Sequence, residues 1–314
     1  MRITWIGNHE EGIIAFRRTI ESNGIDAFIT LDESAFAKRS AGSRDYIDIC
    51  ENYGVQVYYV DTIKGDKAYE IVSAQRPDLL VVMGWSEILP EALLDIPAIG
   101  TVGTHASLLP HNRGSAPINW ALIHGEDKTG NTMMWLSKDV DAGEIVDQME
   151  FPITLFDTCK TLYDRVADTN AEMLIKLIES LKMNVKPVLP IENKTKEAVL
   201  PRRRPKDGLI NWEQDARQLY DFIRALTKPY PGAFSFLDGK KYLLWDASVL
   251  PLKSNEKPGT ILGIGYGYAN NGTGICIAAK DNILWVTSIE DEEGNNYSNQ
   301  ALYSLELKGV FKNE

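Results

Sequence analysis

Pro77-Asp78-Leu79-Leu80-Val81-Val82-Met83-Gly84-Trp85 is the stretch that decides the fold. Five apolar side chains follow one another without a polar break, opened by a proline–aspartate pair and closed by a glycine. A strand with one wet face alternates polar and apolar residues. An unbroken short apolar run instead suits a strand covered on both faces, as in a parallel sheet. Upstream, the pattern predicts strands over 2–6, 27–31 and 55–59. It predicts helices over 11–23, 45–52 and 65–75, the first closed by Gly24 and the second by Gly54. Strands alternating with helices imply an α/β fold with a doubly wound, Rossmann-like, mostly parallel sheet.

Downstream, 116–124 reads as a helix, 131–136 as a strand and 157–182 as a long amphipathic helix. Pro187, Pro190 and the run Pro201-Arg202-Arg203-Arg204-Pro205 then interrupt the pattern. Beyond them lie one helix, 216–226, and short β-like runs at 233–237, 242–245, 259–264, 274–278 and 283–286. The organisation expected is a catalytic domain over 1–190, a linker over 191–206 and a β-rich, OB-like domain over 207–314. A length of 314 residues suits two domains, since one usually spans ~100–200 residues.

Composition narrows the function. The chain is 44% hydrophobic and 25% charged with a net charge of −11, so a broad basic surface for nucleic acid is not expected. Cys50, Cys159 and Cys276 lie more than a hundred residues apart, which excludes a zinc knuckle or redox dithiol and suits buried thiols in a reducing compartment. No stretch approaches the roughly 18 apolar residues of a membrane helix, and the short apolar start is a strand rather than a signal segment. A cytoplasmic protein with a small-molecule partner is the expectation, with Asn271-Gly272-Thr273 an idle sequon.

Ligands of open parallel sheets bind at the carboxyl ends of the strands. Two segments qualify: Gly84–Pro90, and the glycine-flanked Gly103-Thr104-His105-Ala106-Ser107-Leu108-Leu109-Pro110-His111-Asn112-Arg113-Gly114. Neither contains GxGxxG. Gly263-Ile264-Gly265-Tyr266-Gly267 is followed by Asn270-Asn271-Gly272 rather than a helix and reads as a hairpin. No Walker motif is present. The four histidines show no i,i+4 pair, so a metal site on one helix is unsupported. His105 stands apart because it sits in a polar loop directly after a strand.

Those residues carry a resemblance. Thr104–Gly114 with Ala116-Pro117-Ile118-Asn119-Trp120, and Leu136-Ser137-Lys138-Asp139-Val140-Asp141-Ala142-Gly143-Glu144-Ile145, resemble the signature of the folate-dependent formyltransferases, a family that includes methionyl-tRNA formyltransferase and the sugar-nucleotide N-formyltransferases. Asp141 follows His105 by 36 residues, as in the family pattern. Residues 201–208 and 226–233 resemble the start of the family's second domain. The resemblance implies transfer of a formyl group from N10-formyltetrahydrofolate to a primary amine. It implies His105 as oxyanion donor or proton shuttle and Asp141 as its partner. It places the folate against Trp85, Glu87, Ile88 and Leu89 on one side and Ser137, Lys138, Asp139, Val140 and Asp141 on the other. Trp85 reads equally as a stacking wall or as core.

The family usually has Asn where this chain has Gly103. A glycine offers only its backbone N–H, so either another amide, with Asn112 and Asn119 the candidates, or a water is expected to complete the oxyanion site. A folate- or nucleotide-binding relative with weakened catalysis is the non-enzymatic alternative. For the acceptor, tRNA-acting members usually carry a basic, proline-rich insertion after the second strand. Asp32–Arg44 has three basic residues, two acids and no proline. Together with Asn119-Trp120, this resembles the sugar-nucleotide branch and implies an amino sugar, with nucleotide attached, destined for a surface glycan. Methionyl-tRNA as acceptor and hydrolysis of formyltetrahydrofolate are the alternatives. Arg202-Arg203-Arg204 reads as solvated linker or as a phosphate grip, and Trp245, Tyr266 and Tyr268 as barrel core or as a stacking surface. The resemblance leaves a homodimer open.

Overall fold

The computed structural model describes residues 1–37, 42–192, 194–266 and 272–313. It divides into two compact units. The first is 1–117, 128–152 and 162–201, and the second is 118–127, 153–161 and 202–314.

In the first unit, β1 (Ile3–Ile6), α1 (Ile13–Asn23), β2 (Ala27–Leu31), α2 (Glu33–Phe36), α3 (Asp45–Tyr53), β3 (Gln56–Val60), α4 (Asp66–Gln75), β4 (Leu79–Val82), α5 (Glu91–Leu94) and β5 (Gly100–His105) follow in order. After α6 (Pro117–Ile123) come β6 (Lys128–Trp135), β7 (Ile145–Pro152) and the long α7 (Cys159–Lys182). The seven strands form one sheet in the order β3-β2-β1-β4-β5-β6-β7. Pairing is parallel from β3 to β5 and antiparallel at β5–β6 and β6–β7. The Rossmann-like reading is met, with an antiparallel edge. The short α2 and α5, and strand β7, carried no sequence signal strong enough to be expected.

The Leu79–Val82 run explains the layering. Leu79 and Val81 join Trp5, Phe16, Phe28 and Leu174 on one face, while Leu80 and Val82 join Ile6, Ile29, Val72 and Leu93 on the other. Successive side chains of one strand thus feed two cores, which is why the run has no polar alternation. Local signals end the helices where expected. Gly54 closes α3 in the left-handed region, and the Asp32 carboxylate caps α2 by accepting from the Ala35 N–H.

The second unit contains α8 (Ala216–Leu226) and the strands β8 (Ala233–Leu237), β9 (Lys240–Leu250), β10 (Ile261–Tyr266), β11 (Thr273–Ala278), β12 (Ile283–Glu290) and β13 (Asn296–Ser298). They form an antiparallel sheet, β10-β11-β12-β9-β8, with β13 on β12. β10 and β11 are antiparallel neighbours, as a hairpin reading of the glycine cluster requires. Gly267, Tyr268, Asn270 and Asn271 lie outside the described residues, as do Lys38 and Arg39. Two stretches from earlier in the chain belong to this unit through specific bonds. Asn119 Nδ2 donates to the Ala225 carbonyl at 2.6 Å, and Arg224 Nη1 donates to the carbonyls of Thr154 (2.7 Å) and Asp157 (2.8 Å).

The three cysteines are free thiols, Cys50 and Cys159 fully buried, and burial pushes both thiols up to about 12. Among the described residues, no helix is long and apolar enough to cross a membrane.

Candidate active site

β5 ends at His105, and the sheet delivers that imidazole, 8% exposed, to the carboxyl end of the strands. Its Nδ1 lies 3.4 Å from Oδ1 of Asp141, so the two residues that the spacing paired are brought together. Its Nε2 lies 2.9 Å from the main-chain carbonyl of Asn112. Both ring nitrogens therefore face oxygen acceptors, and a ring protonated on both nitrogens donates to both.

Asp141 is held from the other side. The Gly114 N–H donates to its Oδ2 at 3.0 Å. Arg113 donates to the Val140 carbonyl, tying the loop after β6 to the loop after β5. Asp141 and Asn112 both adopt the left-handed conformation, with φ of 54° and 55°. Asn and Asp are the non-glycine residues best suited to that region, because their short polar side chains bond locally.

The expected oxyanion donors fall elsewhere. Asn112 meets His105 through its carbonyl, which cannot donate. Asn119 is fully buried in the second unit with its amide given to Ala225. The structure does not bring either side-chain amide to the His105 ring among its described bonds. Gly103 is flanked in the sheet by Val82 and Met134, so its main chain faces neighbouring strands rather than a ligand. A Cβ at this position would stand 3.0 and 3.1 Å from the methyls of Leu136 and 3.1 Å from the Val82 carbonyl. A side chain here is crowded, and Leu136 and the sheet would have to give by a few tenths of an ångström to admit it.

The two expected folate loops divide into supports and surfaces. The Glu87 carboxylate accepts from the Thr62 hydroxyl and the Ile63 N–H, both at 2.9 Å, and so fixes its loop to the one after β3. Leu89 anchors the loop in the core, and the Ser137 hydroxyl donates to the Asp139 carbonyl. Ile88 and Val140 are 58% and 47% exposed, one apolar surface on each loop. Trp85 packs against the core around Ile6 and Val60, and its buried indole N–H has no partner among the described residues. Exposed apolar side chains on both loops and an orphaned donor fit a flat heteroaromatic ring with polar edges. An open cavity of about 800 Å³ lies beside the Asp141 loop, walled by Arg113, Asp139, Glu144 and residues 188–191.

In the second unit, Arg203 does not present a phosphate grip. Its guanidinium lies over Trp120 at 4.9 Å and Phe222 at 5.4 Å, and burial holds its pKa below the usual arginine value. Trp245 is buried, its indole donating to Glu290, which answers to core. Gly114 binds Asp141 and Arg113 binds the neighbouring Val140, and neither was singled out by sequence; the Arg-Gly of the motif was the available signal.

Two family models match the chain: "Formyl transferase" over residues 28–178 and "Formyl transferase, C-terminal domain" over 203–304. A methionyl-tRNA formyltransferase of Caldanaerobacter subterraneus subsp. tengcongensis is 33% identical over 267 residues, covering 83% of this chain and 85% of that protein. Among solved structures, HypX from Aquifex aeolicus in complex with tetrahydrofolic acid aligns with a TM-score of 0.66 at 21% identity, covering 99% of this chain and 48% of HypX. WlaRD, a sugar 3N-formyl transferase, aligns at 0.58 and 15% identity over 94% of this chain and 99% of its own. These two structural likenesses establish the shared fold.

Proposed function

We propose that this chain, which belongs to the folate-dependent formyl transferase family, moves the formyl group of N10-formyltetrahydrofolate to the primary amine of a nucleotide-linked amino sugar. Formyl transfer and its folate donor come with the family; the amino sugar is the step beyond it. The bound donor supplies an electrophilic formyl carbon, and the loops at Trp85–Leu89 and Ser137–Asp141 are the residues that would hold it.

The His105–Asp141 pair carries the chemical reading. As an amine adds to a formyl carbon, the oxygen gains negative charge and the nitrogen must lose a proton. The His105 ring stands at the strand end where the substrate arrives, and its Nε2 reaches a developing oxyanion by exchanging the Asn112 carbonyl for it. Asp141 fixes the ring and balances its charge, and Gly114 fixes Asp141. With Gly103 unable to help, His105 carries more of the oxyanion load than a histidine backed by an asparagine.

The acceptor reading rests on the segment after β2. Arg44 pairs with Glu33 at 3.6 Å and its guanidinium lies 4.5 Å from the Phe36 ring centre. Arg44 thus has an acidic and an aromatic neighbour within its own segment, which weakens what it offers to a phosphate backbone. Methionyl-tRNA is the second reading, favoured by the 33% identity to a methionyl-tRNA formyltransferase along most of both chains.

A single-turnover assay separates them. N10-formyltetrahydrofolate is mixed with wild type or His105→Ala, and with uridine- or thymidine-diphosphate amino sugars or charged initiator tRNA. Product is detected by mass. Formylated sugar nucleotide from wild type, and at least a hundredfold less from His105→Ala, is expected. Comparable formylation of the tRNA sinks the sugar assignment. No product with any amine sinks the enzymatic reading of this chain.

A further inference from the structure

We propose that the main chain of the segment Glu197–Leu200, which leads into the second unit, braces the catalytic pair from behind and positions Asp141 through Gly114, its side chains taking no part in catalysis. The proposal rests on the reading of His105 and Asp141 as the working pair.

A continuous series of bonds carries it. The Leu200 N–H donates to the Arg113 carbonyl at 2.7 Å, and the Ser115 N–H donates to the Leu200 carbonyl at 3.1 Å. These two bonds bracket Gly114, which forms a parallel bridge with Leu200. Gly114 in turn donates its N–H to Asp141 Oδ2 at 3.0 Å, and Asp141 Oδ1 faces His105 Nδ1 at 3.4 Å. Four contacts therefore run from the linker main chain to the imidazole. A fifth ties the same two segments outside the bridge, His111 Nδ1 to Glu197 Oε1 at 2.7 Å.

Gly114 cannot be replaced in this arrangement. Its φ is 112°, where side chains are rarely tolerated. A Cβ there would lie 2.4 Å from the Leu200 carbonyl oxygen and 2.8 Å from its nitrogen. The close approach of linker to loop is what the glycine permits. Without the linker, nothing among the described main-chain bonds holds the peptide that presents the Gly114 N–H to Asp141, since Arg113 and Ser115 take their main-chain partners from Leu200. The linker is the fixed side of the site, and the loop after β5 is registered against it.

Leu200→Pro in the full chain tests this, because proline removes the N–H that bonds Arg113 and keeps an apolar side chain. Leu200→Ala keeps every main-chain bond and serves as the rescue. With the acceptor that gives product above, Leu200→Pro is expected to lower kcat tenfold or more at a KM for N10-formyltetrahydrofolate within twofold of wild type, as a displaced catalytic group does. Leu200→Ala is expected to stay within threefold on both.

Ring ¹⁵N spectra of histidine-labelled protein give a second readout that needs no acceptor, because the chain has only four histidines. The His105 signals are expected to move in Leu200→Pro and to hold in Leu200→Ala, with the His124 signals unchanged in both as the check on folding. Unmoved His105 signals in folded Leu200→Pro, or an equal loss of kcat in the two variants, overturns the proposal. Full activity of His105→Ala would instead overturn the reading on which it rests.

Discussion

Gly103→Asn puts back the side chain that the family pattern carries, into a space that the structure makes tight. The new Cβ would meet the two Leu136 methyls at 3.0 and 3.1 Å and the Val82 carbonyl oxygen at 3.1 Å. The leucine end can rotate, but the carbonyl belongs to β4 at the centre of the sheet and yields only if the ladder shifts. The amide beyond Cβ must then enter the volume that Leu136 fills between two apolar clusters. Overpacking of this kind costs about 1–3 kcal/mol. At roughly 2–4 °C per kcal/mol for a unit of this size, Tm should fall by roughly 2–12 °C. Leu136→Ala alone should cost about 2–3 kcal/mol for the apolar contacts it deletes. In the double variant the asparagine occupies the vacated space, so the two costs should fall short of their sum by about 1 kcal/mol or more. Urea denaturation and calorimetry of the four proteins measure the cycle. A fully stable Gly103→Asn, or strict additivity with Leu136→Ala, would refute the claim that Leu136 crowds this space.

Other outcomes follow from the same geometry. Asp141→Asn should lower kcat by roughly a hundredfold, because the amide presents an N–H where the His105 ring needs an acceptor; retained kcat would remove Asp141 from the site. Asp221→Asn leaves Arg224, 3% exposed, without its 2.7 Å carboxylate partner, and should cost about 3–5 kcal/mol in chemical denaturation, against well under 1 kcal/mol for the exposed pair Lys194–Glu192. Burial raises Glu11 from 4.5 to about 7, so the folded chain holds this proton more tightly than the unfolded chain between those values, and stability falls as pH rises across that window. Glu11→Gln should therefore match wild type near pH 4, gain on it through the window and hold a constant advantage well above pH 7, by on the order of 3 kcal/mol; a Tm difference that does not grow with pH contradicts this.

The sheet was legible because its signals are local. Leu79–Val82 names its own environment, and Gly24 and Gly54 stop their helices where backbone geometry demands. The His105–Asp141 pair was legible as a spacing, and the structure supplied its geometry. Asn119 was misplaced for a physical reason. Its partner, Ala225, lies 106 residues away, and no periodicity encodes a bond across that distance. The Glu87 carboxylate holds Thr62 and Ile63, a bond to another loop that the sequence did not signal. The contributions of Asn112, Gly114 and Leu200 are made by main-chain atoms, to which side-chain identity gives little clue.

Arg203 in its slot between Trp120 and Phe222 bears on how such a chain can be recombined. One wall of that slot is encoded some eighty residues before the arginine, as is the amide that binds Ala225. The C-terminal unit is therefore not a contiguous cassette. A single crossover near residue 200 would deliver its sheet and α8 without residues 118–127 and 153–161, stranding a guanidinium and a carbonyl that were matched in the parent. Exchange of this unit between relatives therefore needs three coordinated segments rather than one.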